Sequence, residues 1–133
     1  MFNRAEITFL GTGTSIGVPV IGCDCKVCNS DDPKNQRLRS SILLRTHEVA
    51  LVVDTGPDFR QQCLREGIRG LDAVIFTHGH SDHVMGFDDL RRFTVLEDEQ
   101  IRIFGNRETM QRLEKAYPYV FDGENRYRGY LKV

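Results

Sequence analysis

Residues 77–83 read THGHSDH and directly follow the apolar run AVIF at 73–76. An unbroken apolar run of this length predicts a strand covered on both faces, which delivers the polar segment to its carboxyl end. The segment holds three of the four histidines in the chain, together with Asp82. Imidazole and carboxylate groups are ligands of zinc, manganese and iron. The sequence therefore predicts a metal site at the end of a buried strand.

The spacing within this segment indicates two ions. In an extended loop, His78 and His80 would face one ion, whereas Asp82 and His83 would reach a second. Gly79 would let the backbone turn closely around the ions, because it has no side chain. Two ions about 3.5–4 Å apart can share one water and lower its pKa towards 7, so Asp82 is predicted to be catalytic by orienting a metal-bridging hydroxide. Two alternatives stay open: histidines that bind no metal, and a purely structural metal site.

The rest of the chain reads as strands first and then as alternating strands and helices. The helix after Pro57 is predicted to place Phe59, Cys63 and Leu64 on one apolar face and to end at Gly67. The runs SILLR and VALVV predict a hairpin of mostly buried strands. The predicted strands span 6–10, 41–45, 49–53, 73–76 and 101–104, and a second helix spans 107–117.

Three of the four cysteines, Cys23, Cys25 and Cys28, lie within six residues. The C-x2-C spacing is typical of zinc ligands, and a bound zinc would order the long loop at 11–35, which has no sustained periodicity. The alternative is three unligated thiols in a mobile loop. Cys63 lies on the predicted apolar helix face and is expected to be plain core.

Composition fits one ordinary soluble domain at most, with 133 residues, 40% hydrophobic and 28% charged. The net charge of −1 offers no broad basic surface, so nucleic acid is a possible partner that the charge does not indicate. No stretch approaches the roughly 20 apolar residues that span a bilayer, and the first apolar run is too short for a signal-peptide core. The clustered cysteines favour a reducing compartment. We therefore expect a cytoplasmic protein without membrane contact.

The motif at 77–83 resembles the T-H-x-H-x-D-H signature of the metallo-β-lactamase superfamily. Further motifs resemble the branch that contains the phosphoribosyl cyclic phosphate phosphodiesterases, and the resemblance runs from about residue 7 to 93. A protein that helps make the cofactor pyrroloquinoline quinone has a similar cysteine loop. The motifs are GTGTS at 11–15, GVPVIGCDCKVC at 17–28, RLRSS at 37–41, DTGPDFRQQ at 54–62 and GFDDLRRF at 86–93.

The resemblance implies an α/β (α+β) fold, a four-layer αβ/βα sandwich of which this chain covers roughly the first half. It implies two divalent ions, zinc or manganese, with His78 and His80 on one and Asp82 and His83 on the other. Asp54 matches an aspartate behind the metal site and is predicted to fix a ligand imidazole. Its alternative role is an Asx-turn or a helix entry before Pro57.

The resemblance also implies one structural zinc, held by Cys23, Cys25, Cys28 and a histidine from later in such proteins. All four histidines here lie at or before His83. The later histidines that such proteins place on each of the two ions and on the structural zinc are therefore missing. We interpret residues 1–133 as a single incomplete domain: a fragment, a truncated reading frame, or a chain that needs a complementing second half or forms a homodimer.

The function implied is a metal-dependent hydrolase, with a small-molecule phosphodiester as substrate. Three alternatives stay open. The chain could be a catalytically incomplete metal-binding or interaction fragment, a hydrolase of the same fold acting on another ester, or a cofactor-biosynthesis protein of that fold.

Overall fold

A computed structural model describes residues 4–97 and 99–122. Their strands form one five-stranded sheet in chain order. The first three strands pair antiparallel, whereas the last three pair parallel. The strands are β1 (Glu6–Gly11), β2 (Ser41–Arg45), β3 (Ala50–Val53), β4 (Ala73–Ile75) and β5 (Arg102–Phe104). All five predicted strands are present, each within one residue of its predicted bounds. Residues 123–133, which the predicted domain includes, lie outside the described residues.

The helices begin and end where local chemistry dictates. Gly67 has a φ of 60° and ends the first helix, as predicted, because glycine adopts this left-handed conformation without strain. The Asn106 side chain accepts a hydrogen bond from the Thr109 N–H at 2.9 Å and begins another. That helix ends one residue before the predicted Tyr117, ahead of Pro118. The α-helices are α1 (Phe59–Glu66), α2 (Ser81–Val84), α3 (Arg91–Glu97), α4 (Arg107–Ala116) and α5 (Pro118–Phe121), and 3-10 helices span Pro33–Asn35 and Phe87–Leu90. None of the described helices is both long and apolar enough to cross a membrane.

One face of the sheet packs against the helices. Side chains from the first four strands are almost fully buried there and form one cluster with aromatic and aliphatic residues of the helical segments. Cys63 belongs to this cluster, as predicted, and its burial raises the pKa of the thiol to about 12, so it stays protonated. The strand members are Leu10, Leu43, Val52 and Val74, and the helical members include Phe59, Phe87, Leu90 and Leu113.

The opposite face is apolar and has no covering layer among the described residues. A row of paired side chains crosses it from β1 to β5: Phe9, Ile42, Val53, Ile75 and Phe104. Phe9 is 66% exposed and Phe104 is 52% exposed. Isolated exposed apolar residues are ordinary, but a contiguous row marks a surface built for contact.

Two sequence predictions about burial are therefore wrong within the described residues. The run at 73–76 is not covered on both faces, because Ile75 belongs to the uncovered row and is 38% exposed. Leu64 does not share the buried face of Phe59 and Cys63, since it is 65% exposed. It lies one residue beyond Cys63, and one residue turns a helix by about 100°, enough to carry a side chain off the core-facing stripe.

The two faces of the sheet should respond differently when a side chain is shortened to alanine. In a chain of residues 1–133, Leu43→Ala should lower the free energy of unfolding by about 2–5 kcal/mol, because it leaves a cavity in the packed face. Phe9→Ala should change it by roughly 0.5 kcal/mol or less, as for other exposed positions. Urea unfolding followed by circular dichroism measures both. Equal losses would show that the second face is already covered in the isolated chain.

Candidate metal centre

The parallel pairing of β3 and β4 brings two polar segments to one edge of the sheet. Val53 pairs with Ile75, so the residues that follow each strand leave the sheet side by side. The Asp54 N–H donates to the Ile75 carbonyl at 2.9 Å and extends this pairing by one bond. Asp54 and Thr77 are therefore neighbours, although 23 positions separate them in the sequence.

The two segments are locked together through their backbones. The Thr55 N–H donates to the His83 carbonyl at 2.8 Å, and the Gly86 N–H donates to the Thr55 carbonyl at 2.8 Å. A β-carbon at position 56 would collide with the Asp82 carbonyl oxygen, so only glycine allows this approach. The polypeptide that carries Asp82 and His83 is thereby fixed against the end of β3.

Asp54 is the buried acceptor at the centre of this edge. It is 4% exposed and has a φ of 63°, a conformation that aspartate tolerates better than most residues. Its Oδ1 accepts the Thr77 N–H at 2.8 Å, while its Oδ2 accepts the Thr77 hydroxyl and is paired with Nδ1 of His83, each at 2.7 Å. The structure thus places Asp54 on a predicted ligand imidazole, and its side chain forms no Asx-turn or helix cap.

The three imidazoles of the motif are close to one another. The ring centroid of His78 lies 4.7 Å from that of His80 and 4.0 Å from that of His83. Asp82 Oδ2 lies 3.1 Å from His83 Nε2. The four predicted ligands thus lie near one another on the loop after β4 and the first turn of α2, although no three of their ligand atoms all come within 4.8 Å of one another.

The chemistry of this donor set fits a cation. With the proton of a neutral His83 on Nδ1 towards Asp54, Nε2 is an acceptor that faces a second acceptor, Asp82 Oδ2. A positive ion bound by both would satisfy them. Two ligand atoms of a tetrahedral zinc ion, each about 2.0–2.1 Å from the metal, lie roughly 3.3 Å apart, close to the separation seen. Imidazole and carboxylate together are typical of zinc and manganese sites.

Gly79 meets a constraint that its predicted role does not include. A β-carbon there would lie 2.5 Å from Cδ of Arg112 and 3.3 Å from its Cβ. The aliphatic stem of Arg112, on α4, therefore packs against the backbone between His78 and His80. Arg112 also pairs with Glu108 at 2.8 Å.

A second cluster of ligand groups lies in the loop after β1. Cys23, Cys25 and Cys28 have ligand atoms that all lie within 4.8 Å of one another, the only such group of three in the part of the chain that the structure describes. The Val20 N–H donates to Cys28 Sγ at 3.3 Å. The backbone N–H of Cys28, helped by the neighbouring thiols, lowers the pKa of Cys25 to about 7. Thiolates at this pKa suit zinc binding.

Sequence reasoning missed two features: the role of Thr77, and the contacts that hold the loop after β1. Thr77 follows the strand run directly, and a hydroxyl beside the first histidine of the motif was the available signal. Arg39 donates to the Ser15 carbonyl at 2.9 Å and pairs with Asp58 at 2.8 Å, and the Gln62 amide donates to the Arg39 carbonyl at 2.8 Å. These contacts tie the loop after β1 to the start of α1.

A family model described as a beta-lactamase superfamily domain matches residues 50–132. Octanoyltransferase of Porphyromonas gingivalis is 43% identical over 121 residues, covering 90% of this chain and 24% of that protein. Coenzyme PQQ synthesis protein B of Methylorubrum populi is 35% identical over 100 residues, covering 65% of this chain and 33% of that protein. The chain thus spans about a quarter to a third of the length of these curated relatives.

Two solved structures share the fold of this chain. The crystal structure of a new diphosphatase from the PhnP family has a TM-score of 0.83 and 44% identity, covering 89% of this chain and 48% of that one. Zn2+-bound PqqB from Methylobacterium extorquens has a TM-score of 0.72 and 24% identity, covering 97% of this chain and 44% of that one. The latter supports the fold alone.

The close approach at Gly56 makes a testable prediction. Gly56→Ala should lower the free energy of unfolding by about 1–3 kcal/mol, because the new methyl group pushes α2 away from the end of β3. Gly105→Ala is the matched control, since its β-carbon would meet its neighbours at 3.5–3.6 Å, an ordinary contact. Urea unfolding compares them. Equal stability of the two variants would contradict the locked arrangement.

The thiols should differ in reactivity in metal-free protein. Since the pKa of Cys25 is lowered to about 7 and that of Cys63 is raised to about 12, Cys25 gains thiolate between pH 6 and 8, whereas Cys63 stays protonated. The alkylation rate of Cys25 should rise roughly tenfold over this range, because the thiolate is the nucleophile. Iodoacetamide labelling with peptide mass spectrometry measures each site. A flat profile for Cys25 would contradict the lowered pKa.

Proposed function

Because the chain belongs to the β-lactamase superfamily, a family of metal-dependent hydrolases, we propose that it carries the metal-binding part of a phosphodiester hydrolase. The predicted fold class is confirmed, and the described residues form part of that fold. The observation that carries the proposal is the convergence of three imidazoles and the Asp82 carboxylate on the end of β4, with the buried Asp54 behind them.

In this proposal His78 and His80 hold one divalent ion, and Asp82 and His83 hold the other. Zinc or manganese suits these donors. When bound, such ions supply Lewis acidity and a water of lowered pKa.

The residues of the chain itself then have defined tasks. Asp54 holds the His83 ring so that Nε2 faces the site, through the bond at 2.7 Å. Asp82 presents an oxygen 3.1 Å from that nitrogen, where it can bind the same ion and orient an attacking water. The backbone lock at Gly56 keeps Asp82 and His83 in position, so little reorganisation is needed during reaction.

The choice of a phosphodiester rests on similarity. The protein of the PhnP family that is described as a diphosphatase is 44% identical over most of this chain. Octanoyltransferase and PQQ synthesis protein B are also similar, so a role in cofactor biosynthesis is the second candidate. A cofactor role would be favoured by turnover of an acyl or quinone-precursor substrate without phosphodiester hydrolysis.

Two further parts of the proposal concern the rest of the molecule. Cys23, Cys25 and Cys28 are proposed to hold a structural zinc that orders the loop after β1, with a fourth ligand from outside the described residues. The apolar row from Phe9 to Phe104 is proposed to be covered by a complementing second half, as in the two-sheet sandwich of this fold.

The proposal predicts that metal and activity are lost together. In the complete gene product, replacing His80 by Ala and Asp82 by Asn should remove the ions of the histidine motif, leave the cysteine-bound zinc, and lower hydrolysis of bis(p-nitrophenyl) phosphate by more than about 100-fold, because outer-shell changes alone cost 10–100-fold. Elemental analysis and initial rates measure the two effects. His47→Ala is the matched control, since His47 is exposed at the hairpin turn and should leave both unchanged.

Two outcomes would contradict this function. Unaltered metal content in the double variant would exclude the motif as the metal site. Full metal loading of the wild type without turnover would leave a metal-binding module and not a phosphodiesterase.

A further inference from the structure

The Thr77 hydroxyl lies between Asp54 and a predicted metal ligand. Its oxygen is 2.7 Å from Asp54 Oδ2 and 3.0 Å from Nδ1 of His78. The same Oδ2 is 2.7 Å from Nδ1 of His83. One buried carboxylate oxygen therefore reaches two imidazoles, one directly and one through a hydroxyl.

The direction of these bonds follows from the number of protons available. A carboxylate oxygen only accepts, so the single hydroxyl proton of Thr77 is donated to Asp54. The hydroxyl oxygen is then left as an acceptor towards His78, whose Nδ1 must carry the proton. His83 donates from Nδ1 to the same carboxylate for the same reason. When each ring is neutral, Nε2 is therefore the acceptor nitrogen of both His78 and His83.

The two imidazoles belong to different ions in the proposed site. We infer that Thr77 is a positioning residue whose hydroxyl lets Asp54 fix the Nδ1–H form of His78, so that one carboxylate orients one ligand of each metal ion. This inference rests on the proposed two-ion site. It assigns to Thr77 a role separate from its backbone, since the Thr77 N–H also donates to Asp54 Oδ1 at 2.8 Å.

The arrangement has a selective consequence. Loss of the Thr77 hydroxyl should weaken only the ion held by His78 and His80, because Asp54 still reaches His83 directly. Loss of the Asp54 carboxylate should weaken both ions. If the Thr77 hydroxyl only stabilised the fold, its loss would not affect one ion more than the other.

The test uses the complete gene product with three substitutions. Thr77→Val removes the hydroxyl at nearly constant shape, Thr77→Ser keeps it, and Asp54→Asn replaces one acceptor oxygen by an amide nitrogen that cannot accept. Asparagine also tolerates the φ of 63° at this position. Thermal unfolding by circular dichroism checks that each variant is folded.

Two readouts apply, neither of which needs turnover. In metal-free protein with 15N-labelled histidine, NMR reports which ring nitrogen carries the proton. Manganese titration followed by electron paramagnetic resonance counts ions at nitrogen and oxygen ligands, because Mn2+ disfavours the thiolates of the cysteine loop.

The expected result is that Thr77→Val releases His78 from the Nδ1–H form and raises one manganese dissociation constant by about 10–100-fold, the range for lost outer-shell partners. Thr77→Ser should match the wild type, and Asp54→Asn should raise both constants.

An unchanged His78 tautomer in Thr77→Val, or a Thr77→Ser variant that behaves like Thr77→Val, would overturn the inference. A wild type in which neither manganese nor zinc binds outside the cysteine loop would instead overturn the proposed function, whatever the tautomers.

Discussion

The joining of the ends of β3 and β4 depends on the buried negative charge of Asp54. Asp54 is nearly inaccessible to water, so its carboxylate is stable only because several hydrogen bonds compensate for lost hydration. All of the donors come from the segment after β4. The cost of burying the charge is thus offset only when the two strand ends and the histidine motif are together. The fold and the candidate site are for this reason stabilised by the same contacts.

The sequence predicted well which segments meet behind the histidine motif. The change from AVIF to THGHSDH marks a strand end, and the run VALVV ending at Asp54 marks another, so parallel pairing was enough to bring them together. The end of the first helix at Gly67 was equally predictable, because the ends of helices are determined by local chemistry. These features depend on neighbours in sequence.

Features that depend on distant residues were not predictable in the same way. Nothing near Gly79 in the sequence reports that the Arg112 stem will lie against it, and Ile75 reads as buried although its face is open in the described residues. The Arg39–Asp58 pair shows the same limit. Motif similarity drew attention to Arg39 and Asp58. It did not indicate that they hold a loop in place. A resemblance to a family thus identifies candidate residues, whereas their roles have to come from the structure.

The contact between Gly56 and the Asp82 carbonyl also restricts how this architecture can diversify. The two backbones are in direct contact, with no side chain between them that could adjust. An insertion or deletion between β4 and α2 would therefore shift the predicted ligands by a full residue. Changes of length are therefore confined to other segments, such as the long connection between β1 and β2. The surroundings of the candidate site can diversify there while the spacing of the predicted ligands stays constant.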